Sequence, residues 1–170
     1  MYSTFHYTLR RTLPPWSFHE NLRELEKAVV EWQLDEVLVK VDTEEFSHGQ
    51  VNPKWFKAYL PLLAELKAML DAHGVLFSIN PWITLCHLDR GRRGEDSYAG
   101  FRGMVDIDGG VSGATACPLC DAWREHTKAI WQAYARLKPH SIWLEDDLRY
   151  LNHTHIKYGC FCEEHLARFG

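Results

Sequence analysis

The 170-residue chain has no excess of positive charge: 19 Lys and Arg face 23 Asp and Glu, a formal charge of −4. That leaves no basic footprint for a nucleic acid. Its one cationic cluster, Arg90-Gly-Arg-Arg93, is short and reads as a solvated loop. No apolar run approaches the roughly 20 residues of a membrane span, and the opening Met-Tyr-Ser-Thr-Phe-His lacks the charged-then-apolar order of a signal peptide. Cysteine is scarce and odd in number, five in all, with four in two close pairs, Cys117/Cys120 and Cys160/Cys162. Secreted disulfide frameworks space an even set more widely. These absences predict a cytoplasmic, reducing setting with no membrane partner, where the thiols are free or hold metal. Internal repeats and low-complexity tracts are missing too.

Aromatic residues, by contrast, are abundant: seven Trp, seven Tyr and eight Phe. Most such rings fill cores, but carbohydrate clefts also use exposed aromatic faces, so the richness tilts toward a sugar ligand. Strand and helix signals alternate along the chain. Tyr2–Leu9 reads as a first strand, broken by Pro14-Pro15. Ser17 and Glu20 form a capping box for a helix reaching Trp32. Val37–Val41 is a second strand, with Lys40 inside it. A helix from Pro53 to His73 follows, which Pro61 should kink and Gly74 should close. Val75–Ile79 is a third strand, residues 83–116 a long insertion loop with a hairpin around Met104–Gly110, and Pro118 the start of a helix to Leu137. Ile142–Leu144 is a fourth strand and Cys162–Phe169 a last helix. Strands separated by helices imply a parallel sheet with right-handed crossovers. Four such units predict the N-terminal half of a (β/α)8 barrel, cut from a longer chain, as a single partial catalytic domain. An open four-stranded α/β domain is the alternative.

Two constellations carry chemistry. At the end of the fourth strand stand Glu145, Asp146 and Asp147, then Arg149, His153 and His155. Adjacent carboxylates repel, and the carboxyl end of a parallel strand is where α/β enzymes place catalytic groups. Glycoside hydrolysis needs a carboxylic acid and a carboxylate across the scissile bond, and one of these acids can supply the first. The bland reading has the acids capping the following turn and pairing with Arg149. His48, Asn80, Trp82, Arg149 and His153 are the candidate sugar-binding residues. The second constellation is Cys117-x-x-Cys120 with Cys160-x-Cys162-x-x-His165, five soft ligands where zinc takes four. Cys117, Cys120, Cys160 and Cys162 are the candidate structural set. The competing reading is that these thiols simply pack.

Ile142-Trp-Leu-Glu-Asp-Asp-Leu-Arg149, His153 and Tyr158-Gly-Cys-Phe-Cys-Glu-Glu-His-Leu-Ala-Arg-Phe169 resemble glycoside-hydrolase-like bacterial proteins with a (β/α)8 catalytic domain. The Cys-x-Cys before a helix ending in Phe is also similar to the zinc-containing bacterial β-galactosidases, which carry a cysteine cluster near the fourth strand. Val105-Asp-Ile-Asp-Gly109 and Cys117-Pro118 fit the same picture. The resemblance covers roughly residues 100–169. It implies a glycosidase acting on O-glycosyl bonds, a carbohydrate substrate, a structural zinc, and no cofactor needed for the hydrolysis itself. That barrel clan ends strand four in Asn-Glu, whereas this chain has Glu145-Asp146-Asp147, and the clan's strand-seven nucleophile would fall beyond Gly170. Two other functions compete: a metal-dependent sugar isomerase or epimerase using His48, Asp147 and His153, and a non-catalytic carbohydrate-binding barrel. The expected partners are a carbohydrate and either the remaining half of the barrel or a second copy of the chain.

Overall fold

In the computed structural model, residues 5–41, 53–81, 101–144 and 156–169 are described. Three strands, β1 (Thr8–Thr12), β2 (Glu36–Val41) and β3 (Leu76–Pro81), form a parallel sheet in the order β1-β2-β3. Helix α1 (Phe18–Trp32) connects the first two and α2 (Pro53–Ala72) the next two. The register pairs Val37 with Phe77, Val39 with Ile79 and Val41 with Pro81. These alternate residues share one face. They pack with Leu25 and Val29 of α1, Leu63, Leu66 and Leu70 of α2, and Ile130 and Tyr134 of α3 (Asp121–Arg136) in one core. Edge-to-face contacts, Phe18 on Tyr59 at 6.4 Å and Phe56 on Tyr134 at 5.2 Å, bind the helices to one another. The Tyr59 hydroxyl donates to the Leu13 carbonyl at 2.7 Å. Each such buried apolar side chain stabilises the fold by about 1.5–3 kcal/mol.

The opposite face of the sheet mixes polar groups with the buried Leu38. Glu36, Ser78 and Asn80 are buried there. Glu36 accepts from His6 at 2.9 Å and Thr8 at 3.0 Å. Burial pushes its carboxyl up, but the hydrogen bonds of Ser78, His6 and Thr8 outweigh this and hold it below the usual range.

The half-barrel expectation is overturned. Among the described residues the parallel sheet has three strands, and the second sheet is an antiparallel hairpin of β4 (Gly103–Val105) and β5 (Val111–Ala116) within the expected insertion loop. The expected fourth strand is reduced to a single parallel bridge, Ile142 to Ile79. The continuation of the ladder would pair the Trp143 carbonyl with the amide of residue 81, and Pro81 has none. The Trp143 carbonyl accepts from the Asn80 side chain instead (3.2 Å), and the Ser141 amide donates to the Ser78 hydroxyl (3.2 Å) while His140 N–H takes the Phe77 carbonyl. The β1 edge is not the apolar surface of a cut barrel either: its sequence is Thr-Leu-Arg-Arg-Thr and mostly exposed, a polar edge of the kind that resists further pairing.

Several local expectations shift. The first strand begins at Thr8, and Ser17 makes no capping bond; its hydroxyl and carbonyl instead accept from Asn21 at 2.7 and 2.8 Å. Pro61 lies within α2 on an exposed position, so its missing N–H falls on the solvent side and the helix remains one element. Helix α3 starts at Asp121, three residues after Pro118. No described helix is long and apolar enough to cross a membrane.

Candidate metal centre

The hairpin delivers the chain to a tight turn, where the Cys120 amide donates to the Cys117 carbonyl at 2.9 Å. Cys120 then caps α3. On the other side, Cys162 precedes α4 (Glu163–Phe169), and its carbonyl accepts from the Leu166 amide at 3.0 Å as the first helical bond. Residues three apart at a helix start lie on one side, so His165 stands over Cys162. Backbone pairing joins the two arms. Phe161 N–H donates to the Val105 carbonyl at 2.7 Å, and Cys117 N–H to the Arg102 carbonyl at 2.8 Å.

The result is a cluster of Cys117, Cys160, Cys162 and His165, whose ligand atoms all lie within 4.8 Å of one another. Cys117 Sγ is 3.8 Å from Cys162 Sγ, 3.8 Å from Cys160 Sγ and 3.8 Å from His165 Nδ1. A tetrahedron with metal–sulfur bonds of about 2.3 Å has edges of about 3.8 Å. The two sulfur–sulfur edges at Cys117 therefore have the dimensions a tetrahedral ion requires, and its edge to the His165 nitrogen is about 0.3 Å longer than the ~3.5 Å of a sulfur–nitrogen edge. The Cys162–His165 edge is shorter, 3.1 Å, closed by a thiol–imidazole hydrogen bond.

The surroundings suit thiolates. Cys117, Cys120 and Cys162 are buried with Ala116 and Trp123 in a second small core, flanked by Phe101, Val105 and Leu119. Amide N–H groups of Arg102 and Val105 point at Cys120 Sγ and Cys160 Sγ, each at 3.4 Å. The Arg102 guanidinium bonds Glu164 at 2.9 Å and reaches Cys117 Sγ at 3.9 Å. Its own pKa is raised, first by the Glu164 carboxylate. Three thiolates around a divalent ion leave one net negative charge, and this cation offsets it. Burial pushes the Cys117 thiol up to about 12. Burial also pushes Cys162 up, but bonds from the His165 side chain and amide, Cys160 and Cys117 outweigh it and bring Cys162 to about 6. A bound cation reverses the penalty at Cys117, since a coordinating thiol is deprotonated outright.

The cluster can hold a metal ion, and its donor set of three sulfurs and one imidazole suits zinc, with no position left open as catalysis would need. Of the four cysteines read from the sequence, Cys117, Cys160 and Cys162 converge. Cys120 lies beside them and takes the Arg102 amide, outside the four-membered group, and His165 occupies the fourth place. The signal for His165 was its spacing from Cys162. Arg102 gave none, because its role depends on hairpin pairing.

Asn80 is buried at the end of β3 with both amide ends taken, Oδ1 by Arg10 at 2.5 Å and the NH2 by the Trp143 carbonyl at 3.2 Å. Glu145, Asp146, Asp147, Arg149, His153, His48 and Trp82 lie outside the described residues. No family model, curated protein or solved structure matches the chain.

Proposed function

We propose that the chain hydrolyses glycosidic bonds of a carbohydrate at the carboxyl edge of its parallel sheet, with a structural zinc on Cys117, Cys160, Cys162 and His165. The observation that carries the catalytic part is the course of residues 140–143 along β3. His140 N–H donates to Phe77 O at 2.7 Å and Trp143 N–H to Ile79 O at 2.9 Å, and Ile142 bridges Ile79 in parallel. The chain thus runs toward the carboxyl end of β3 immediately before Glu145-Asp146-Asp147 enters the sequence. Ligands of open parallel sheets bind beyond the carboxyl ends of the strands. Three acids adjacent in sequence suit the chemistry, which needs one carboxyl kept protonated as a general acid at neutral pH. The other function would fall to a carboxylate facing it across the sugar. The zinc holds the hairpin and α4 together and takes no part in bond breaking.

A panel of aryl glycosides tests the activity on the full chain. Asp146→Asn and Asp147→Asn should leave the fold intact, and at least one should lower turnover by ~10²-fold or more, the scale of general acid–base catalysis. Wild-type turnover in both variants, or no hydrolysis of any glycoside by the parent protein, refutes the catalytic reading. Elemental analysis should find one zinc per chain.

A further inference from the structure

The four ligands of the metal centre are not equally reachable. Cys117 and Cys162 are buried, whereas Cys160 and His165 are half-buried. Those two line an open cleft of about 380 Å³, together with Pro118, Tyr158 and Phe169. The Cys160 sulfur is thus the thiol of the cluster that a small solute meets from solvent. Its S–H points at the buried Cys117 Sγ, 3.8 Å away, so the two sulfurs need close by only about 1.8 Å to reach the length of a disulfide. Cys162 is the poorer partner for Cys160. It sits two residues along, with its carbonyl in the first bond of α4 and its sulfur hydrogen-bonded to His165 at 3.1 Å. The helix that carries His165 depends on the centre. None of its residues is buried, and seven residues fall short of the ~12–15 at which an isolated helix is marginal in water. Apart from the cluster, the side-chain bond that ties α4 to the hairpin is Arg102 to Glu164 at 2.9 Å, between two exposed groups, and such pairs contribute little.

We propose that the centre is a redox switch: hydrogen peroxide joins Cys160 to Cys117, the zinc is expelled and α4 is freed. The switch rests on the zinc reading above. In the first step the Cys160 sulfur attacks one peroxide oxygen. The S–O bond forms, the O–O bond breaks, and the departing hydroxide takes a proton from solvent and leaves as water. In the second step the Cys117 sulfur attacks the Cys160 sulfur. The S–S bond forms, the S–O bond breaks, and a second hydroxide is protonated and leaves as water. The two sulfurs lose two electrons in all and the peroxide gains them. The ion is left with Cys162 and His165, two of the four ligands that zinc takes, and dissociates. The new disulfide keeps residue 160 tied to the end of the hairpin, while Cys162 and His165 lose the ion that fixed α4 in place. A dithiol reductant returns the pair to thiols and lets zinc bind again.

The test is hydrogen peroxide added to the zinc-loaded full chain, with released zinc read by a chromogenic chelator and disulfides mapped by mass spectrometry. About one zinc per chain should be released, in step with a Cys117–Cys160 disulfide. Dimedone present during the reaction should label Cys160 in preference to Cys117 or Cys162, a readout that needs no variant. Hydrogen exchange should rise over residues 163–169 and stay unchanged over 36–41 and 63–79. Zinc alone should not restore protection, whereas dithiothreitol with zinc should. Cys120→Ser should release zinc as the parent does. Zinc retained under peroxide, a disulfide between Cys160 and Cys162 or between Cys117 and Cys120, or exchange of α4 unchanged after zinc loss overturns the switch. The parent reading fails separately: a chain that takes up no zinc before any oxidant is added removes the metal centre itself, whereas a chain that holds zinc through peroxide treatment removes the switch and leaves the centre standing.

Discussion

At Gly103 an added Cβ would lie 2.0 Å from the Ser112 carbonyl oxygen and 3.1 Å from its carbon, in the strand paired across the hairpin. Backbone is the obstacle, so no rotamer change relieves the clash, and β4 and β5 must separate. The consequence reaches the metal centre, because Arg102 and Val105 on either side direct their amides at Cys120 and Cys160. Gly103→Ala should therefore lower stability by about 1–3 kcal/mol and weaken zinc binding in a chelator competition. Gly110→Ala, where a Cβ meets nothing within 4 Å, is the control and should stay within about 0.5 kcal/mol of the parent. Equal behaviour of the two variants would sink this account of the hairpin.

Three described helices end on a left-handed residue, Gln33 after α1, Gly74 after α2 and Lys138 after α3, and the first two solve the problem differently. After α2, Gly74 takes φ 70°, its amide donating to Asp71 O at 3.1 Å and Val75 N–H to Leu70 O at 3.0 Å. Both bonds belong to the Schellman closure, with Val75 and Leu70 buried together beneath it. After α1, Gln33 takes φ 51°, a conformation that costs a side-chain-bearing residue about 1–2 kcal/mol. Gln33→Gly should recover about 1 kcal/mol, measured as a shift of the urea midpoint at constant slope. A neutral or destabilising result means the exposed Gln33 side chain makes a compensating contact. Gly74 was readable from the sequence, since a glycine after an apolar periodic run is a stop signal. Gln33 was not, because nothing in a glutamine announces positive φ; the chain's turn toward β2 imposes it. The same holds for Ser17, whose partner proved to be Asn21 because a 3-10 turn at Pro15–Ser17 replaces the extended entry a capping box needs.

The described parts of the molecule contain two cores with different sources of stability. The larger is apolar, between the sheet and helices α1 to α3. The smaller, around Cys117, Cys120, Trp123 and Cys162, is made largely of thiols. So small a cluster buries little apolar surface, and a bound metal is the natural staple for it. Chelation should therefore loosen residues 101–120 and 156–169 before 36–41 and 63–79. Hydrogen exchange read by mass spectrometry should show that order, and zinc should restore protection. For zinc at a thousandfold excess over its dissociation constant, the linked stabilisation is about 4 kcal/mol. Uniform exchange across both regions, or none after chelation, would show that the small core stands without metal.

Composition and period alone determined the alternation of elements, the three parallel strands in sequence order, the apolar faces of α1 to α3 and the presence of a soft-ligand cluster. All of these follow from local patterns: two-residue and three-to-four-residue spacing, glycine after a helix, and Cys-x-Cys-x-x-His at a helix start. Three decisions belonged to tertiary structure. The sheet stops at a single bridge after β3 because Pro81 has no N–H for the Trp143 carbonyl and the Ser78 hydroxyl takes the Ser141 amide, and these meetings join residues about 60 positions apart in sequence, Ser78 and Ser141 being separated by 63. The residue that completes the cluster is His165 and not Cys120, because the helical start of α4 carries the imidazole over Cys162 while the Cys117–Cys120 turn gives the Cys120 sulfur to the Arg102 amide. Helix α3 divides its buried side chains between the two cores, Trp123 in the small one and Ile130 and Tyr134 in the large one, and only packing decides which goes where. A local pattern states which residues share a face; what that face meets is a property of the whole chain.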